Sequence, residues 1–460
     1  MVPEHRGCVI KVVLLLVKIC MRMMFAFVGA AAAPPSRRTG VREKPPLPRW
    51  KRSGGHGTAS GGTGGLCVGS GRVRSRVGIQ MDVKEPRQDG QATEQMQKLQ
   101  QRGSQWYVNF TGFPFPLRPF FKRRTMRKEV IPGTMWTFEQ EHGLGFTFVA
   151  VNIVMTVIRL QSGGLWVHSP IAPTEECVNL VKELGGDVEF IILGTYAYEH
   201  KIYAAPFSRK FPDAKVYTVK CWSWPINLPN AFFGIFADGE LRNDDRSTPW
   251  ADEIEQKVIG PATLGIAPYS EAAFFHKPSK TLIVTDAVVH IPRSPPEVID
   301  RNSLLQGASD RFYSSFRTGS VEKPPRPEDF PEPSLELGWM RMALLSTYFG
   351  PYDLLNPRGS FDALAGRLVV SPVVRKLVYS RITGPLREFV LDVATAWQFT
   401  SIIPAHFAAP IAASPKDWLD AFAFVLGKEE TVKLPEKDFE ILSGLERLLR
   451  NIGLTPSDIS

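Results

Sequence analysis

The chain has 460 residues, 43% of them hydrophobic, with 55 Lys+Arg against 46 Asp+Glu for a formal net charge of +9. That charge is unevenly placed: residues 1–80 hold 14 Lys+Arg and 2 Asp+Glu, net +12, which leaves the rest of the chain at −3. The basic character therefore belongs to a Gly/Ser/Arg-rich stretch that cannot build a core, which argues against nucleic acid as a partner of the folded body.

Residues 1–80 read as a targeting leader. Lys11 precedes the apolar run Val12 to Val17, and the stretch "MMFAFVGAAAA" ends in small residues suited to signal cleavage. The segment that follows, "PPSRRTGVREKPPLPRWKRSGGHGTASGGTGG", is rich in Arg, Ser and Gly and almost free of acid, as transit peptides are. Together these resemble the bipartite leader of algal plastids bounded by extra membranes, with Phe25 or Phe27 near the cut. A plain secretory signal is the alternative. Lys18 and Arg22 interrupt the apolar run, so no stable membrane span is expected. Three of the five cysteines, Cys8, Cys20 and Cys67, lie in this leader, and Cys177 and Cys221 in the body have no paired spacing. Neither a disulfide framework nor a zinc finger is available.

A polar linker is expected over residues 81–105, a folded body over 106–427, and a tail with an amphipathic helix over 428–460. At the start of the body, "NFTGFPFPLRPFFKRRT" predicts an extended aromatic arm, because its prolines forbid helix and its Phe rings need burial. From Thr147, β-branched runs joined by Gly163-Gly164 predict paired strands. A helix follows with both ends marked: Thr174 as N-cap, Glu175 and Glu176 in the first turn, and Gly185-Gly186 as the stop. "VEFIIL" is a buried strand that delivers Glu199 and His200 to the loop beyond it. "AKVYTV" repeats the strand, and the hairpin "AAFFHKPSKTLIVT" runs into Asp286, with His276 expected in its solvated turn. Residues 291–335 form a long Pro/Arg/Ser-rich loop. "LGWMRMALLSTYFG", "FDALAGRLVVSPVVRKLVYSRI" and "GPLREFVLDVATAW" predict three helices before the strand leading to His406, and Phe439 to Leu449 predicts the amphipathic helix of the tail.

Glu199, His200, Asp286 and His406 each follow a short apolar strand, which is how a sandwich of sheets brings distant side chains to one rim. Two imidazoles with one or two carboxylates suffice to hold one divalent Zn, Fe or Mn ion and leave room for water. The alternative is structural: a Glu199–His200 pair, Asp286 capping a turn, and His406 in a polar core slot. His168 is a core histidine or supports that pocket, and Trp222 and Trp224 could floor an apolar one.

The blocks "GGLWVHSPIAPTEECVNLVKEL", "YEHKIYAAPFSRKFPDAKVY", "SWPINLPNAFFGIF", "LIVTDAV" and "IIPAHFAAPI" resemble the plant and algal family called domain of unknown function 4336, over about Trp106 to Leu426. That family is similar to the metallo-β-lactamase fold, which implies an α/β chain folded as an αββα sandwich with metals at one sheet edge. The T-H-x-H-x-D-H signature of that superfamily is half present. Thr195 stands for its threonine, Tyr196 and Tyr198 fall where two histidines belong, and "IGPATLGIAPYSEAAFF" lacks the histidine expected there. Asp286 matches the bridging aspartate and His406 the last histidine. The resemblance therefore implies one surviving metal position, held by Glu199, His200, Asp286 and His406, with Asp286 and His200 acting on substrate. The implied activity is a single-metal hydrolase of an ester, thioester or phosphodiester. The alternative is an inactive binding or scaffold protein. Neither the small-molecule ligand nor the oligomeric state is specified.

Overall fold

The computed structural model describes residues 103–108, 120–143, 149–220, 229–264, 268–309 and 335–451. The leader, most of the aromatic arm (109–119), Cys221, Trp222 and Trp224 lie outside the described residues.

Two short strands, β1 (Trp106–Val108) and β2 (Phe120–Lys122), pair antiparallel at the ends of the arm. A seven-stranded sheet follows in chain order: β3 (Met126–Ile131), β4 (Met135–Gly143), β5 (Ala150–Arg159), β6 (Leu165–His168), β7 (Val188–Leu193), β8 (Lys215–Val219) and β9 (Gly239–Leu241). Its first four strands are antiparallel and the rest parallel. Parallel strands need crossovers. Helix α1 (Glu175–Lys182) bridges β6 to β7, and α2 (Tyr198–Ser208) bridges β7 to β8. The Thr174 hydroxyl accepts from the Cys177 amide, capping α1 as its sequence predicts, and Gly185 and Gly186 end the turn at φ 72° and 85°.

The second sheet orders β10 (Ile254–Thr263), β11 (Pro268–His276), β12 (Thr281–Ile283), β15 (Ser401–Ile403) and β16 (Ile411–Ala412), while β13 (Val289–His290) and β14 (Leu368–Val369) form a separate ribbon. Between the strands lie α3 (Arg301–Ala308), α4 (Leu335–Tyr348), α5 (Arg358–Leu364), α6 (Pro372–Leu377) and α7 (Thr383–Ala396), and after β16 come α8 (Pro415–Ala421), α9 (Ala423–Leu426) and α10 (Glu440–Asn451).

Strand alternation sorts the apolar side chains into layers. On one face of the first sheet, Ile153, Met155, Val157, Leu165, Val167, Ile191 and Leu193 meet Leu180 and Val181 of α1 and Ile202 and Ala205 of α2. On the other face, Val154, Ile158, Trp166 and Ile192 pack against Ala272, Phe274, Ile283 and Ile402 of the second sheet. The far side of the second sheet carries α7 and α8: Phe275 stacks on Trp397, and Leu386, Val390 and Trp418 extend the same core. The architecture is thus the αββα sandwich expected of this α/β chain. A third cluster joins Ala150 and Val151 to α3, α4 and α5.

Four local readings need correction. The stretch 291–335 is not all loop, because Asp300 caps helix α3 within it. The segment from Phe361 to Ile382 is not one helix, because Gly366 at φ 75° ends α5 after Leu364, Leu368–Val369 pairs with Val289–His290, and Pro372 starts α6. His276 is buried as the last residue of β11, its Nδ1 2.7 Å from the Ser279 hydroxyl. Contacts also begin before Trp106: the Ser104 amide and the Gln105 amide side chain donate to Glu175 and Glu176. Among the described residues, no helix is long and apolar enough to cross a membrane.

Candidate metal centre

All four residues singled out above converge at one end of the sandwich. Glu199 and His200 occupy the first turn of α2, directly beyond β7, Asp286 follows β12, and His406 follows β15. One ligand atom from each of Glu199, His200 and His406 lies within 4.8 Å of the others. The two imidazoles are 5.0 Å apart between ring centroids. Asp286 stands between them, its two carboxylate oxygens 3.6 Å from His200 Nε2 and 3.5 Å from His406 Nε2. Both separations exceed a normal hydrogen bond.

The His406 loop is clamped to the first sheet. His406 Nδ1 donates to the Asn152 carbonyl at 2.9 Å, so its Nε2 lone pair faces the cluster. The Asn152 side chain, fully buried in β5, accepts from the Phe407 amide and donates to the Phe407 carbonyl, holding Phe407 at φ 63°. Few large side chains adopt that left-handed backbone without such support.

His200 is fully buried, and neither of its ring nitrogens has a hydrogen-bond partner. Leaving such a group unsatisfied costs about 1–3 kcal/mol. A divalent ion between Glu199, His200 and His406 would take up the lone pair of one of those nitrogens, so the residues present fit one. Burial opposes charge on His200, but Asp286 and then Glu199 outweigh it and raise its pKa. For Asp286, burial works in the opposite sense, and the imidazoles of His200 and His406 hold its carboxyl below the usual range. The Glu199 carboxyl is pushed up by burial and then by Asp286. Burial, with His200 behind it, lowers His406.

Tyr196 packs edge-on to Tyr269 in the inter-sheet core, and Tyr198 packs edge-on to Phe233 behind α2. His168 is a core residue stacked on Trp166, its Nε2 3.4 Å from the Thr285 hydroxyl, and burial holds its pKa down to about 3.

One residue of the site escapes sequence reasoning: Glu271 of β11. It is buried beneath the Asp286 loop, its Oε1 accepts from the amides of Thr285, Asp286 and Ala287, and its Oε2 accepts from the Tyr269 hydroxyl. Burial and then Asp286 push its pKa up to about 7. The available signal is a lone carboxylate among small and aromatic residues in "YSEAAFFH".

No curated protein matches the chain by sequence. Among solved structures it is similar to a metallo-β-lactamase from Pontibacter korlensis (13% identity, 40% of this chain and 83% of that one, TM-score 0.29). It is also similar to the DIM-1 metallo-β-lactamase exposed to ceftazidime (12%, 64% and 94%, 0.32). A third similarity is to a metal-soaked Flv1 flavodiiron core from Synechocystis sp. PCC6803 (10%, 72% and 91%, 0.30). The layer order described above rests on this chain's own strands and helices. A family model described as "Domain of unknown function (DUF4336)" matches residues 132–358 and 355–424, well over half of the chain, so the chain belongs to that family.

Proposed function

We propose that the chain holds one divalent ion, Zn, Fe or Mn, through Glu199, His200 and His406, with Asp286 as a further ligand or general base, and that it hydrolyses an ester, thioester or phosphodiester. The observation that carries this reading is the buried imidazole of His200, with no hydrogen-bond partner on either nitrogen, facing a second imidazole and two carboxylates. When bound, such an ion supplies Lewis acidity, enough to make water a competent nucleophile near neutral pH. Asp286, kept ionised by the flanking imidazoles, is placed to accept a proton. Asn152 orients His406 through its backbone carbonyl, and Glu199 brings a carboxylate from the partly exposed start of α2. Tyr196 and Tyr198, where the resemblance implies histidines, support a centre for one ion.

One observation favours the alternative of an inactive binding or scaffold protein. Asp286 already faces both imidazoles, so a proton on His200 would neutralise the pair with no ion present. Chromogenic ester, thioester and phosphodiester substrates separate the two readings. The hydrolase reading requires turnover on at least one class, removed by a chelator and restored by metal. No turnover on any of the three supports the inactive binding or scaffold protein, and an absence of saturable ion uptake does so further. For the leader, we propose plastid import, with secretion as the alternative; a fluorescent reporter fused to residues 1–80 should enter plastids, and a uniform cytosolic signal contradicts both.

A further inference from the structure

The metal-centre reading leaves Glu271 without a role, yet two of the segments that build the site meet at this residue and the third is tied to one of them. Its own backbone neighbours secure the turn before α2: Tyr196 N donates to Ser270 O at 3.1 Å and Ala272 N to Gly194 O at 2.7 Å, with Thr195 bridged to Glu271. That turn leads directly to Glu199 and His200. Its side chain secures the second segment, with Oε1 accepting from Asp286 N and Ala287 N, each at 2.9 Å, and from Thr285 N at 3.2 Å. The second segment secures the third, since Ala405 N donates to Thr285 O at 3.0 Å, immediately before His406.

The far oxygen is occupied as well. Tyr269 OH donates to Oε2 at 2.8 Å, which leaves the Tyr379 hydroxyl, 2.9 Å away, to donate to Tyr269. Glu271 thus meets four donors from this chain, three of them at Oε1. The clustered ligand atoms are those of Glu199, His200 and His406, and Glu271 is not among them.

We infer that Glu271 is the positioning residue of this site: its carboxylate takes the place that an anion takes at a helix N-terminus, gathers three successive backbone amides, and thereby aims Asp286 between His200 and His406 without itself serving as a ligand. The inference deepens the metal-centre reading and rests on it for functional meaning, while its geometry is that of the chain alone. A side chain that gathers consecutive amides fixes loop direction more tightly than one bond can, because all three donors must point at one atom.

The test uses the full chain, free of metal, and follows hydrogen exchange at individual amides. In Glu271→Ala, the amides of residues 285–287 should exchange at least about tenfold faster, since a lost bond to a buried carboxylate exceeds that difference in opening equilibrium. The β5 amides from Ile153 to Val157 should keep their protection. Glu271→Gln should restore the slow exchange, because its amide oxygen still accepts three N–H groups and its NH2 can donate to Tyr269. Glu271→Asp, one methylene shorter, should resemble Ala; it takes the place of the alanine variant if that variant loses β5 protection as well. Unchanged exchange at 285–287 in both the Ala and Asp variants, or Gln exchanging as fast as Ala, overturns the inference. Zinc titration adds the link to Asp286: Glu271→Ala should weaken uptake at least about tenfold, yet cost nothing further in an Asp286→Ala background. Additive losses overturn it. Wild type that takes no ion defeats the metal-centre reading, and the exchange result still decides the role of Glu271.

Discussion

Asn152→Ala isolates the clamp that sets His406. In the wild type the Asn152 amide makes a two-bond ring with the Phe407 peptide, Oδ1 accepting at 2.9 Å and Nδ2 donating at 2.7 Å, and Nδ2 also donates to Glu139 at 3.0 Å. Alanine removes all three, and solvent cannot replace them because Asn152 and Phe407 are buried. Two hydrogen bonds to the Phe407 peptide at about 1 kcal/mol each, with a further 1–2 kcal/mol for the stranded Phe407 amide, give a loss of about 3–4 kcal/mol. The left-handed backbone of Phe407 then lacks its support, so the His406 ring should leave its position as well. Urea denaturation followed by tryptophan fluorescence reads the loss, and zinc titration of the folded variant should show affinity down by about 10–100-fold. A loss under about 1 kcal/mol at unchanged m-value, with zinc affinity intact, would refute the clamp.

Further outcomes follow from packing and burial. Gly338→Ala should destabilise by about 3 kcal/mol or more, because a Cβ there would sit 1.9 Å from the Leu304 carbonyl oxygen and would drive α3 away from α4; a thermal midpoint equal to wild type contradicts this. Tyr196→Phe should leave zinc affinity unchanged, since the ring lies against Tyr269 in the inter-sheet core; a large loss would make its hydroxyl a ligand. Burial holds His276 down to about 4 against an ordinary 6.5. Between those values the unfolded chain binds more protons, so stability is fully present above pH 6.5 and falls as the pH drops toward 4. Urea midpoints measured from pH 7 to pH 4 should fall less steeply in His276→Gln, and parallel profiles would contradict the assignment.

Features marked by adjacent residues were legible in the sequence. The α1 helix is bounded by Thr174 and Gly185-Gly186, and each of these acts on its own turn. The candidate ligands were legible because an apolar strand followed by a polar residue identifies a sheet rim, and β7, β12 and β15 all end at the same rim. What failed to show depends on partners distant in the chain. Glu271 works through amides 14–16 residues away, and nothing beside it in "YSEAAFFH" marks that use. Asn152 grips a peptide 255 residues away. His276 adjoins a turn that reads as solvated, yet the neighbouring strands cover it. Between Phe361 and Ile382 the breaks were written in Gly366 and Ser371-Pro372, but the short strand between them forms only because Val289–His290 is there to pair with it.

The central claim is that His200 and His406 hold one ion together with Glu199 and Asp286, and calorimetric titration of the metal-free protein with Zn, Mn and Fe(II) tests it most directly. Saturable uptake of one ion per chain is predicted, abolished by His200→Ala and by His406→Ala, because the ligands that remain rarely hold a labile divalent ion. No saturable uptake of any of the three with the fold intact, or two ions bound per chain, would contradict the account.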